Sequence, residues 1–147
     1  MAFSQGSAQG GGFILLLFTA SLLVLMSEAE TIVVGGSKGW SFGFNYTDWA
    51  IKNSPFYIND KLVFKYAAPS NTSSHNVYLL PNLWSYINCD FRKARIVADA
   101  KQGSGKGFEF VLKQWRPYYF ACAVNNGVHC SQGQMKFFAI PWPRPHY

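Results

Sequence analysis

An all-β sandwich or barrel is the fold class that this sequence predicts, on three observations. Short segments with strand-like alternation recur from residue 31 to about residue 140. Clusters of Gly, Ser, Asn and Pro interrupt them at intervals of roughly ten residues, the spacing of turns in antiparallel architectures. Apart from a single turn of helix expected around "SYINCDFRK" (residues 85–93), no window shows the 3.6-residue period of an amphipathic helix. The many aromatic residues supply large side chains for a core enclosed between sheets.

The elements follow in order. "TIVVGG" opens with β-branched residues and closes on a Gly pair; "DKLVFKY" alternates Leu62, Phe64 and Tyr66 with Lys61, Val63 and Lys65. After a Pro-Ser-Asn turn cluster comes "HNVYLL", then "ARIVADA". "KGFEFVLKQW" sets Phe108, Phe110 and Leu112 on one face against Glu109 and Lys113 on the other. "PYYFACAV" and "QMKFFAI" complete the set. Trp40, Trp49, Trp84 and Trp115 read as core or rim packing. The chain of 147 residues has neither internal repeats nor low-complexity tracts and suits one domain.

Residues 1–29 read as a secretory signal peptide. "FILLLFTASLLVLM" (Phe13–Met26) is a 14-residue apolar run, short of the ~20 residues that span a bilayer. Ser27 and Ala29 supply the small residues required before a cleavage site. The domain then covers 30–140, followed by a short Pro-rich tail at 141–147 without the hydrophobic end of a lipid-anchor signal. The expectation is a secreted, extracellular monomer with no transmembrane anchor, held at most indirectly at the outer face of the plasma membrane. Two sequons, at Asn45 and Asn71, fit export and are candidate glycosylation sites.

All 13 Lys and Arg follow residue 30, against six acids from Glu30 onward, so the processed chain is basic by about seven charges. Acidic partners are favoured, such as a polyanionic cell-wall polysaccharide, anionic lipid or an acidic redox protein. The cations are scattered rather than clustered in a run, which with export argues against nucleic acid.

Three cysteines, Cys89, Cys122 and Cys130, leave one thiol over if two pair. One reading is a disulfide plus an inert buried thiol. The neighbours of Cys122 offer another: His129 follows seven residues later and Gln134 five after that, with Met135 next. Of the remaining imidazoles, His146 lies in the tail, which leaves His75 at the start of "HNV" as a partner. Two histidines and a cysteine with a weak axial Met or Gln make the donor set of a blue-copper site. Structural zinc prefers paired short spacings such as Cys-x2-Cys, which are absent. A Cys–His nucleophile lacks an evident Asn or Asp to orient it.

Residues 31 to about 140 resemble the phytocyanins, the plant blue-copper family of plantacyanins, stellacyanins and uclacyanins. The resemblance rests on "VVGGSKGW", "DKLVFKY" before "HNV", a cysteine 14 residues after that histidine, and "YYFAC…HCSQGQ". It implies a cupredoxin-like Greek-key β-sandwich, one type 1 copper on His75, Cys122 and His129, and a Cys89–Cys130 disulfide. It also implies one-electron transfer with a small redox molecule or redox protein rather than enzymatic turnover. Family spacing puts the axial ligand at Gln134, the stellacyanin type, ahead of Met135, the plantacyanin type. The chain departs from the family in the six residues "AVNNGV" between Cys122 and His129, where four are usual. The extra pair is expected to bulge near Asn125–Gly127. The alternative function is a copper-independent extracellular binding module on the same fold, as in nodulin-like members, which lack the ligand set kept here.

Overall fold

The computed structural model describes Gly6 and residues 28–146, so the leader expected over residues 1–29 lies almost wholly outside the described residues. Seven of the strands are those legible in the sequence. In chain order these are β1 (Thr31–Val33), β3 (Lys61–Phe64), β4 (Val77–Leu80), β5 (Arg95–Ala98), β6 (Phe108–Val111), β7 (Tyr118–Ala121) and β8 (Lys136–Ala139). Two two-residue strands, β2 (Phe56–Tyr57) and β9 (Pro141–Trp142), pair in parallel. The segment read as a tail is thereby tied to the domain: Pro141 opposes Phe56, and Arg144 binds the carboxylate of Asp60.

The strands form two main sheets. In the first, β3 lies between β1, which it pairs in parallel, and β6, which it pairs antiparallel. The second is wholly antiparallel in the order β5-β4-β7-β8. Their inner faces meet through aromatic rings. Phe64 of β3 has its ring 5.3 Å from Phe120 of β7 and 6.1 Å from Phe137 of β8. Trp40 stands edge-on to Phe64 at 5.3 Å, and all four rings are at most 1% exposed. Fully burying each such side chain contributes roughly 1.5–3 kcal/mol.

Gly39 shows why "VVGGSKGW" is glycine-rich. Its φ of 61° is left-handed, and a Cβ there would sit 2.7 Å from the carbonyl oxygen of Lys65. That same carbonyl accepts the N–H of Trp40 at 2.8 Å, so the bare backbone lets Trp40 enter the core beside β3.

Helix is more extensive than the sequence suggests. α1 (Tyr46–Asn53) was not anticipated; α2 (Leu83–Asn88) overlaps the expected turn, and α3 (Val128–Ser131) carries His129. In α1 the Asn45 side chain accepts the Asp48 N–H at 3.0 Å, capping the first turn. Tyr46, Trp49 and Ala50 supply a buried i, i+3, i+4 stripe, and Trp49 packs on Phe137 of β8 at 5.3 Å. Five residues sufficed for one hydrophobic stripe, which is too short a signal beside strand patterns of similar length. Among the described residues no helix is long and apolar enough to cross a membrane.

Candidate metal centre

β7 ends at Ala121 and delivers Cys122, fully buried, to one end of the sandwich. His75 lies two residues before β4, the neighbour of β7, so sheet pairing brings it alongside. His129 arrives from the loop that follows Cys122. There Asn125, Asn126 and Gly127 take φ values of 56°, 51° and 82°, three consecutive left-handed residues. Asn and Gly are the residues that tolerate this region. The turn closes through Gly127 N–H to Ala123 O and Val128 N–H to Asn125 O, both at 3.0 Å. The extended Cys-to-His gap is thus absorbed as a compact turn, with Asn125 and Asn126 exposed as expected. A Cβ on Gly127 would meet the Phe91 ring at 3.3 Å, so this position also sets the turn against the loop after α2.

Three donor atoms converge. The two Nδ1 atoms of His75 and His129 are 3.1 Å apart, and Cys122 Sγ lies 3.6 Å from His129 Nδ1 and 4.0 Å from His75 Nδ1. All three residues are buried. First-row metals bond imidazole nitrogen at about 2.0 Å and thiolate sulfur at about 2.3 Å. The separations are short enough for these three residues to hold a single ion at such distances. This is the trigonal His2Cys arrangement of type 1 copper.

Surrounding groups fix the donors. The backbone N–H groups of Asn76 and Val124 donate to the Cys122 sulfur. The Asn76 Oδ1 accepts the Ala123 N–H at 2.8 Å, and Trp40 Nε1–H donates to the Asn76 carbonyl at 3.0 Å. Asn76 therefore joins the His75 strand, the cysteine loop and the core in one network. Behind His129, the Cys89–Cys130 disulfide ties the end of α2 to α3 across a separation of 41 residues. On the outer side the exposed Phe42 ring stands edge-on to His129 at 5.2 Å.

Burial and then the charge that His129 would carry push the His75 imidazole down from 6.5 to about 4. Burial also lowers His129 and raises the Cys122 thiol, the latter opposed by the Asn76 and Val124 N–H groups. Both imidazoles are therefore held neutral, as metal ligation needs. In the metal-free domain the folded state binds fewer protons at His75 than the unfolded chain. Stability conferred by the neutral imidazole is present above 6.5 and is lost as pH falls from 6.5 through about 4. The expected loss, read by chemical denaturation at stepped pH, is on the order of 3 kcal/mol at most.

The two candidates for the axial position differ in burial. Gln134 has a left-handed φ of 57° and an exposed side chain. Met135, the next residue, is fully buried, its N–H bonded to His129 O and its carbonyl to Cys122 N–H, both at 3.0 Å. The left-handed turn after α3 leaves Gln134 at the surface, while Met135, bonded through its backbone to two of the donor residues, lies in the core. The sequons lie at the surface: exposed Asn45 caps α1, and exposed Asn71 lines a groove of about 540 Å³ with Phe42, His75 and His129. His146 is exposed at the C-terminal end.

A family model described as a plastocyanin-like domain matches residues 40–134. Blue copper protein 1b of Medicago truncatula is 32% identical over 126 residues, spanning 84% of this chain and 70% of its own. This chain belongs to the phytocyanin family. Other phytocyanin-type chains agree in fold: cucumber stellacyanin, in its Cu2+ form, superposes with a TM-score of 0.62 at 26% identity over 80% of this chain and 100% of its own. Cucumber basic protein, a blue copper protein, gives 0.56 at 29% identity over 76% of this chain and 98% of its own. Early nodulin-like protein 20 of Arabidopsis thaliana is 29% identical over 138 residues, covering 89% of this chain and 75% of its own. The phytocyanin fold here is the all-β cupredoxin sandwich, and its donor cluster fits a single type 1 copper.

Proposed function

We propose that this phytocyanin is secreted after cleavage behind Ala29 and carries single electrons outside the cell. Copper would be held by His75, Cys122 and His129, with buried Met135 rather than exposed Gln134 as the weak fourth ligand. The observation that carries this reading is the convergence of two Nδ1 atoms and one Sγ inside a buried pocket. When bound, the metal supplies a one-electron Cu(II)/Cu(I) couple tuned by its axial ligand. The chain's own part is to hold the donors still. The Asn76 network and the disulfide fix the cysteine loop and α3, so the donors need move little between oxidation states. The His129 ring, packed on exposed Phe42 at the groove, is the exit toward a partner.

The test is a titration of the purified domain with Cu(II). The expected result is one intensely blue copper per chain, bleached by one reducing equivalent and restored by one oxidising equivalent. A colourless Cu(II) protein that still binds an extracellular glycan after copper removal supports instead the copper-independent binding module.

The axial assignment has its own test. Met135→Gln places a harder oxygen donor at the metal, stabilising Cu(II) and lowering the potential; a tenfold change in relative preference is about 59 mV for one electron. A drop of at least about that size is expected, whereas Gln134→Ala should leave the potential unmoved. The reverse pattern in voltammetry restores Gln134 as the ligand.

A further inference from the structure

At the far end of β7 from Cys122 lies a groove of about 520 Å³, lined among others by Lys93, Arg95 and Arg116. A second groove of about 320 Å³ shares Pro81, Asn82 and Lys93 with it and continues past Arg92 to Trp84. Together they make one elongated track. Its charge is unbalanced. Arg92 is paired with Asp90 at 2.6 Å, but among the described residues Lys93, Arg95 and Arg116 make no ion pair. Arg116 is instead held over the Tyr118 ring at 5.2 Å, which fixes its guanidinium at the groove. Trp84, 59% exposed, stands at the other end with nothing in the copper chemistry to account for it.

We propose that this track binds a polyuronate chain, an acidic polysaccharide with one carboxylate on each sugar. Lys93, Arg95 and Arg116 engage successive carboxylates, and Trp84 offers a flat apolar face for a sugar ring. Three features favour this occupant over an acidic redox protein. The surface is a groove rather than a flat patch. It presents an exposed indole beside its cations. It also sits four residues along β7 from the copper cysteine, about 13 Å at the usual strand rise, so a redox partner bound there would be remote from His129. Binding here leaves the copper groove open, so an extracellular matrix could anchor the protein without blocking electron exchange. The proposal rests on the extracellular reading above only for where the ligand would be met.

The experiment measures binding of copper-loaded protein to oligogalacturonate by calorimetry at low and physiological salt. Neutral cello-oligosaccharide, polyglutamate and anionic phospholipid vesicles serve as comparators. The expected result is salt-sensitive binding to oligogalacturonate and none to the neutral sugar. The triple variant K93Q/R95Q/R116Q should weaken it at least tenfold, while K101Q/K113Q, on other parts of the surface, should not. Trp84→Ala should weaken oligogalacturonate but leave any polyglutamate binding unchanged, which separates sugar recognition from bare charge. An unchanged thermal melting transition in each variant shows that the domain is folded and, with the titration repeated on metal-free protein, keeps this result independent of whether the copper reading holds. Equal losses in the two lysine and arginine sets, indifference to Trp84→Ala, or tighter binding to polyglutamate or vesicles would each overturn the assignment.

Discussion

Cys122→Ser is expected to yield a folded domain that no longer turns blue with Cu(II). The absorption of a type 1 site comes from a thiolate bound to Cu(II), and a serine hydroxyl is neither soft nor ionised near neutral pH. The substitution changes volume little, and the site can satisfy an oxygen. The Asn76 and Val124 N–H groups that face the sulfur can donate to a hydroxyl, and the Cys122 N–H bond to Met135 O at 3.0 Å is untouched. Thermal stability without metal should therefore stay within about 1 kcal/mol of the parent, since a buried donor or acceptor left unpaired is what costs more. Copper affinity should fall at least tenfold, with the intense visible band lost. A Cys122→Ser domain that keeps the band would remove Cys122 from the site.

Most of that site was legible in the sequence because its donors are bound to features with strong one-dimensional signals. Cys122 directly follows an aromatic strand, and His75 lies two residues before another, so their approach follows from the pairing of β4 with β7. The Asn-Asn-Gly run announced the bulge that absorbs the long gap to His129. What was not legible depends on three-dimensional direction. Gln134 and Met135 differ by one position, and a single left-handed residue decides which of them is buried. Counting residues cannot see a φ angle. The same holds for β9: a Pro-rich segment reads as a tail, yet Pro141 at the edge of a two-strand ladder needs no N–H to pair with Phe56. α1 was hidden because an eight-residue helix offers a single buried stripe. In retrospect Asn45, followed by Tyr46, Trp49 and Ala50 at helical spacing, was its signal.

The second large effect lies away from the copper, at Asp60. This carboxylate is 1% exposed and gathers both ends of the domain. Oδ1 accepts the Glu30 N–H at 3.0 Å, Oδ2 accepts the Tyr57 N–H at 2.8 Å, and Arg144 binds Oδ1 while lying over the Tyr57 ring at 4.9 Å. Asp60→Ala would strand two backbone donors and remove the carboxylate from Arg144, whose side chain is only 16% exposed. Removing one partner of a buried charge pair costs about 3–5 kcal/mol, and that is the loss expected in chemical denaturation of the metal-free domain. Asp60→Asn, which keeps an acceptor but no charge, should lose less. Cleavage behind Ala29, as proposed, would turn the Glu30 nitrogen into an ammonium already placed against Asp60. A chain beginning at Glu30 should then melt roughly 4 °C above one that retains Ala29, equivalent to about 1 kcal/mol. That difference should vanish in the Asp60→Asn background, because an uncharged amide cannot distinguish an ammonium from a peptide N–H as a carboxylate does. Equal melting of the two chains with Asp60 intact would mean that the carboxylate is neutralised by Arg144 alone and that the chain start contributes only a hydrogen bond.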